Sequence, residues 1–189
     1  MSVDVTADAT AAALILGGGR ATRLGGLDKL AIVVDGATIL DRLRAVLAPR
    51  VGELVIAAPR DVPGVRCVRD AAGEGPLAGI AAGLAAVGAP WLIVVAGDMP
   101  YLTGALVDRV LAARAEDRDA VGVTHAGRPQ PLVCALRVAA ARPAVGRRLA
   151  AGRYKASGLL EDEGLRVAWL DEPDARTLRN INTPADLPG

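Results

Sequence analysis

Phenylalanine is absent from this sequence, and aromatic residues of all kinds make up 2% of its 189 residues. The core must therefore be assembled from Ala, Val, Leu and Ile, and an aromatic shelf for stacking a ligand base is not expected. Histidine occurs once, at His125, and cysteine twice, at Cys67 and Cys134. The two cysteines lie far apart, match no metal or redox spacing, and sit in apolar runs, so they read as buried reduced thiols. Neither sign of charge dominates: 22 Lys and Arg face 21 Asp and Glu, spread along the chain for a net charge of +1. That balance argues against a nucleic-acid groove and against an anionic membrane as partner. No apolar stretch approaches the ~20 residues of a spanning helix. Met1 to Thr10 carries Asp4 and Asp8 and lacks a basic start with an apolar core. It reads as a flexible tail over residues 1–10 rather than a signal peptide, and the compartment as cytoplasmic.

What is present is a chain that is 52% hydrophobic and 23% charged, which is globular and not disordered. Lengths of roughly 100–200 residues usually form one domain, here residues 11–189. Ala11 to Leu16 is a continuous apolar run closed by Gly17, Gly18 and Gly19, as in a strand buried on both faces. Ile39, Leu40, Leu43, Val46 and Leu47 form a helical stripe that Pro49 ends. Leu54 to Ala58 and Val65 to Val68 read as strands, and Ile80, Leu84 and Val87 as a second helical stripe. Trp91 to Ala96 is the clearest strand, followed by a helix with Leu106, Val107, Val110 and Leu111 inward and Thr103 as N-cap. Past Ala120 the rhythm loosens. Val121 to Thr124 and Pro131 to Leu136 read as strands around a loop at Ala126 to Gln130, and Leu165 to Leu170 as a late strand. Alternating strands and helices predict a single three-layer α/β/α domain with a mostly parallel sheet, Rossmann-like in its N-terminal half.

In such sheets ligands sit beyond the carboxyl ends of the strands. There the sequence places Gly17 to Gly19, Asp70 and Asp98, each after a different strand. Glycines let backbone amides approach phosphate oxygens, and Arg20, Arg23 and Lys29 add positive charge to the same segment. The P-loop pattern fails because Lys29 follows Asp28 and precedes Leu30. The dinucleotide pattern fails because Thr22 stands where its last glycine belongs. A plain connecting loop with solvated basic residues is the competing interpretation. Asp98, in Ala96-Gly97-Asp98-Met99-Pro100, either holds Mg²⁺ or caps the helix near Thr103. Asp70, ahead of Gly75-Pro76-Leu77-Ala78-Gly79, reads by itself as a surface turn residue. Thr183-Pro184 with Asp186 reads as a helix start, and His125, at a strand end, as a solvated loop histidine rather than a general base.

The segment Leu16 to Lys29 resembles the Leu-x-Gly-Gly-x-x-x-Arg-Met-Gly-x-x-Lys loop of nucleotidyltransferases, with Leu24 in place of Met. Its double glycine and its Asp28-Lys29 pair are most similar to the molybdenum cofactor guanylyltransferase (MobA) family. Gly75 to Gly79 matches that family's Gly-Pro-Leu-Ala-Gly run, Asp98 its Asp-x-Pro, and Asn180 to Leu187 its Asn-x-Asn-Thr-Pro ending. The resemblance implies transfer of GMP from GTP to the phosphate of the molybdenum-molybdopterin cofactor, with Mg²⁺ as cofactor. It implies Arg23, Lys29 and Asp98 as catalytic residues, with Asp98 as the metal ligand. GTP would meet Leu16, Gly17, Gly18, Gly19, Lys29, Asp70, Gly79 and Asp98. The pterin would meet Arg128, Gln130, Asn180 and Asn182, with the basic stretch Gly152 to Lys155 a further candidate for its phosphate. Molybdenum-cofactor carrier or acceptor proteins are the implied protein partners. Family members often carry an Asn near the end of the second main strand. Val55 to Arg60 has none here, so base or ribose recognition must differ at that point. Alternatives are a cytidylyltransferase on the pterin, a sugar-phosphate nucleotidyltransferase of the same architecture, and a non-catalytic nucleotide-binding subunit.

Overall fold

The computed structural model describes residues 7–18, 29–69, 75–181 and 186. A seven-stranded sheet runs through it in the order β5-β4-β1-β6-β8-β7-β9. The strands are β1 (Asp8–Leu16), β4 (Val51–Ala57), β5 (Arg66–Val68), β6 (Trp91–Ala96), β7 (Ala120–His125), β8 (Arg128–Arg137) and β9 (Val167–Asp171). A separate small hairpin pairs β2 (Val33–Val34) with β3 (Ala37–Thr38). β5, β4, β1 and β6 are mutually parallel, β8 is antiparallel to both β6 and β7, and β9 is parallel to β7.

Helices cover both faces, as apolar strands buried on two sides require. α1 (Ile39–Leu47) and α3 (Gly104–Ala112) pack with Leu178 and Ile181 on one face. α2 (Pro76–Ala86) and α4 (Val138–Ala150) pack with Ala156, Leu159 and Leu160 on the other. Both halves of the core consist of Ala, Val, Leu and Ile with few exceptions, as the missing phenylalanine demands. Thr38 caps α1 by accepting from the Asp41 amide, and Thr103 caps α3 by accepting from the Leu106 amide. Arg142 of α4 donates through Nε and Nη2 to the Leu84 carbonyl, which α2 leaves unpaired near its end.

Four expectations from sequence change. The first strand begins at Asp8, inside the segment read as a tail. Asp8 accepts from the Thr10 amide and hydroxyl and pairs with Arg114, which fixes the strand's start. Arg128, Pro129 and Gln130 lie in β8 rather than in a loop. Only Ala126 and Gly127, with φ of 48° and 72°, form the turn. The prolines are absorbed by a shift of register between Gly122↔Cys134 and Thr124↔Pro129. α4 has no counterpart in the sequence reading, because its buried stripe of Val138, Ala141, Ala144, Val145 and Arg148 is built largely from small residues and contains Pro143. Cys134 is buried and its thiol is pushed up to about 12 by desolvation, whereas Cys67 is half-buried and its Sγ receives the Val62 amide at 3.1 Å. No helix among the described residues is long and apolar enough to cross a membrane.

At the amino ends of β7 and β9, Arg166 grips the Asp119 carboxylate through Nε at 2.8 Å, Nη2 at 2.9 Å and its backbone amide at 3.1 Å. These hydrogen bonds hold the Asp119 carboxyl down to about 2. A depressed folded-state pKa stabilises the fold above the ordinary carboxylate range, and the contribution is lost as pH falls through about 2. In a carboxyl-carbon NMR titration Asp119 should show this low midpoint, and Arg166→Met should return it toward the ordinary value. An unchanged midpoint in the variant would remove Arg166 as the cause.

Candidate active site

The chain leaves β1 toward β4 through α1 on one face and reaches β6 from β5 through α2 on the other. The connections therefore diverge between β1 and β6, and the crevice beyond the carboxyl ends of those two strands is where an open α/β sheet binds ligands. Gly17 and Asp98 both stand there. β1 and β6 run in register to Leu16↔Ala96, and one step further the Gly97 amide donates to the Leu16 carbonyl at 3.0 Å.

Two glycines make this contact possible. A Cβ on Gly97 would lie 2.7 Å from the Leu16 carbonyl oxygen and 3.3 Å from the Gly17 Cα. A Cβ on Gly17 would lie 2.7 Å from Leu30 Cδ1. Leu30, 2% exposed, fills the space over both glycines from a short 3₁₀ turn, Lys29–Ala31. Burial of Leu30 thus delivers the adjacent Lys29 to the carboxyl ends of β1 and β6. Its Nζ lies 2.9 Å from Asp98 Oδ2, with side-chain exposures of 23% and 16%.

Asp98 is not a helix cap, since Thr103 holds that position for α3. Its backbone carbonyl accepts from the Ile181 amide at 2.8 Å. Its Oδ1 is buried and has no hydrogen-bond partner among the described residues. A buried carboxylate oxygen left unsatisfied is costly. A hard divalent cation, which takes one or two protein carboxylates beside phosphates and water, fits that oxygen. Among the described residues there is no cluster of three or more His, Cys, Asp or Glu placed to hold a metal, so such an ion would rest on Asp98 together with its substrate.

The other expected residues are more scattered. Gly19, Arg23, Asp70 and Asn182 lie outside the described residues. Leu16, Gly17 and Gly18 stand at the crevice, but the Gly17 amide donates to the Ala57 carbonyl at 2.8 Å. That amide is thus engaged within the sheet, and the missing Cβ of Gly17 leaves room for Leu30. Asn180, exposed, adjoins the Ile181 amide that holds Asp98. Gly79 is buried in α2, four residues after Gly75 with its φ of 75°. Arg128 and Gln130 precede the part of β8 that pairs with β6, so they project past the carboxyl end of the sheet, but neither hydrogen-bonds to Asp98. Tyr154, in the basic stretch, sits on the start of α2, where its carbonyl accepts from the Leu77 amide at 3.2 Å.

The sequence reading missed the strap that runs from β9 to Ile181. The Glu172 amide donates to the Thr124 carbonyl, and its carboxylate, in a residue only 7% exposed, accepts from Arg109 at 2.9 Å and from the Asp174 amide at 3.0 Å. His125 is not a solvated loop residue: its Nδ1 donates to the Glu172 carbonyl at 2.7 Å. Arg176 lies 4.8 Å from the Tyr101 ring centre. Most of these contacts use backbone atoms, which carry no sequence signature. An open groove of about 470 Å³ lies beside the β7–β8 hairpin, lined in part by Thr124, Pro129, Leu165 and the exposed Trp169, and none of the residues around Asp98 lines it.

A family model described as a MobA-like NTP transferase domain matches residues 13–176. A molybdenum cofactor guanylyltransferase of Acidiphilium cryptum is 39% identical, over 93% of this chain and 91% of that protein. One from Cereibacter sphaeroides is 34% identical, over 92% of each. Among solved structures, molybdopterin-guanine dinucleotide biosynthesis protein A from Archaeoglobus fulgidus superposes with a TM-score of 0.73 at 22% identity, over 93% of this chain and 94% of that one. The 2-C-methyl-D-erythritol 4-phosphate cytidylyltransferase of Thermus thermophilus shares the fold with a TM-score of 0.70 at 20% identity, over 92% of this chain and 93% of that one.

The Gly97–Leu16 approach makes a testable demand. Gly97→Ala sets a methyl group against backbone and should destabilise the protein by about 1–3 kcal/mol in urea unfolding, the scale of overpacking. Gly88→Ala, whose Cβ would meet nothing within 4 Å, should leave the midpoint unchanged. Equal midpoints for the two variants would refute the close approach.

Proposed function

The chain belongs to the MobA-like NTP transferase family, and from that premise we propose that it transfers GMP from GTP to the phosphate of the molybdenum-molybdopterin cofactor. The observation that carries the site assignment is the Lys29–Asp98 pair at the crevice between β1 and β6. In the reaction an oxygen of the acceptor's phosphate monoester attacks the α-phosphorus of GTP. The bond from that phosphorus to the oxygen bridging toward the β-phosphate breaks, and pyrophosphate leaves with the electron pair. The attacking phosphate is already an anion at neutral pH, so no side chain need remove a proton. The demand on the protein is positioning and neutralisation of charge.

The residues divide that work. Lys29 places an ammonium against the phosphates, and Arg23 adds a guanidinium fit to grip phosphate oxygens. The amides from Gly18 onward supply neutral donors, while Gly17 and Gly97 let Leu30 seat the lysine. Asp98 holds Mg²⁺ through its unpartnered oxygen. Bound there, the ion would neutralise phosphate charge and hold the reacting groups in line. Asp70 meets the nucleoside, and Asn180 and Asn182 flank the amide that fixes the Asp98 backbone. Arg128 and Gln130, past the same end of the sheet, face the acceptor side. The reaction would take place in the cytoplasm, before the finished cofactor passes to a carrier or acceptor protein.

Asp98→Asn should lower turnover with GTP and molybdopterin by at least about 100-fold, the scale of a lost transition-state electrostatic contact, with circular dichroism unchanged. Wild-type turnover in that variant would remove Asp98 from the mechanism. Lys29→Ala should weaken GTP binding by about 1.5–3 kcal/mol, the scale of hydrogen bonds to charged groups. Calorimetry giving an unchanged Kd would remove Lys29 from the triphosphate site.

A further inference from the structure

Within the nucleotidyltransferase reading, we infer that Lys29 also guards the metal site. In the nucleotide-free protein it holds Asp98, so that the site opens only when a triphosphate draws the lysine away. Nζ lies 2.9 Å from Oδ2, and both side chains are largely shielded from water, at 23% and 16% exposure. Partial burial keeps such a pair from being screened as a surface pair would be. The stem of the lysine is anchored because Leu30, its neighbour, is packed over Gly17 and Gly97. The backbone of Asp98 is held from the other side by the Ile181 amide. Neither partner can drift off as a whole, so the pair can be exchanged only by swinging the lysine's flexible four-carbon arm.

A divalent cation approaching Asp98 alone meets a carboxylate whose charge is already cancelled by an ammonium. Oδ1, buried and without a hydrogen-bond partner among the described residues, could still take the ion, but the net attraction is small and the nearby positive charge repels it. A nucleoside triphosphate changes both terms at once. It offers the ammonium a more highly charged anion, and it supplies further oxygen ligands to the cation. Lys29 moving from carboxylate to phosphate therefore frees Asp98 at the moment the phosphates arrive. Metal and nucleotide binding become mutually reinforcing, as linkage requires when each favours the same released arrangement. The same exchange would keep the carboxylate from holding a cation between turnovers.

The test uses the full chain with Mn²⁺ as a paramagnetic probe, reading free ion by electron paramagnetic resonance without nucleotide and again with GTP. Without nucleotide, Lys29→Met should bind Mn²⁺ roughly tenfold more tightly than wild type, in line with removal of an adjacent unit charge. Lys29→Gln, which keeps a polar contact but no charge, should give the same gain and serves if the methionine variant folds poorly. The double variant Lys29→Met with Asp98→Asn should lose it. GTP should tighten Mn²⁺ binding in wild type by a larger factor than in Lys29→Met. Equal Mn²⁺ affinity in wild type and both lysine variants, with Asp98→Asn weakening all of them, would overturn the guarding role of the lysine and leave Asp98 as the metal ligand. Mn²⁺ binding indifferent to Asp98 in every protein, with GTP present, would overturn this inference together with the metal assignment beneath it.

Discussion

The site depends on one close approach of backbone. Where β1 and β6 end, the Gly97 amide reaches the Leu16 carbonyl, with no side chain between the strands. That approach sets the start of the glycine loop beside the aspartate that follows β6. It also leaves the hollow into which Leu30 fits, and Leu30 carries Lys29. A carboxylate and an ammonium far apart in sequence are thus brought to 2.9 Å by hydrophobic packing and two missing Cβ atoms. Charge did not assemble this site. The sheet did, and the charges occupy positions that the sheet's divergence point provides.

A second element closes the arrangement from the far side. The sheet continues past β6 through β8, β7 and β9, and the chain then returns across the carboxyl ends as a strap. Glu172 fastens its beginning to β7 and to Arg109 of α3, and the Ile181 amide fastens its end to Asp98. Leu178 and Ile181 bury themselves in the same core face as α1 and α3, so the strap has an apolar anchor as well as polar ones. Asp98 is consequently gripped by β6 behind it, by α3 ahead of it and by the strap beside it. Such multiple restraint is what pre-organised electrostatic chemistry asks of its support.

Much of this was legible in the sequence, and the pattern of what was not is physical. Strongly apolar runs such as Trp91 to Ala96, and stripes with good caps such as Leu106 to Leu111 after Thr103, announce themselves because burial and capping both leave marks on residue type. α4 left almost none, because a helix facing another helix through Ala141 and Ala144 needs smallness rather than hydrophobicity. The two strands of the β7–β8 hairpin were read, but the loop between them too long, because Pro129 suggests a loop until a shifted register accommodates it. In the site, glycines, lysine and aspartate were recognisable by chemistry. Their surroundings were less so: the Gly17 amide already donates to the Ala57 carbonyl. The Ile181 amide, a donor any residue would supply, could not be found from sequence at all.

This crevice moves a guanylyl group to a pterin phosphate. The most direct measurement is pyrophosphate release in the presence of Mg²⁺ and molybdopterin, with GTP, CTP, ATP and UTP offered separately. Release is expected with GTP alone, accompanied by the guanine dinucleotide form of the cofactor. Release with CTP instead, or none with any nucleotide despite tight GTP binding, would contradict it.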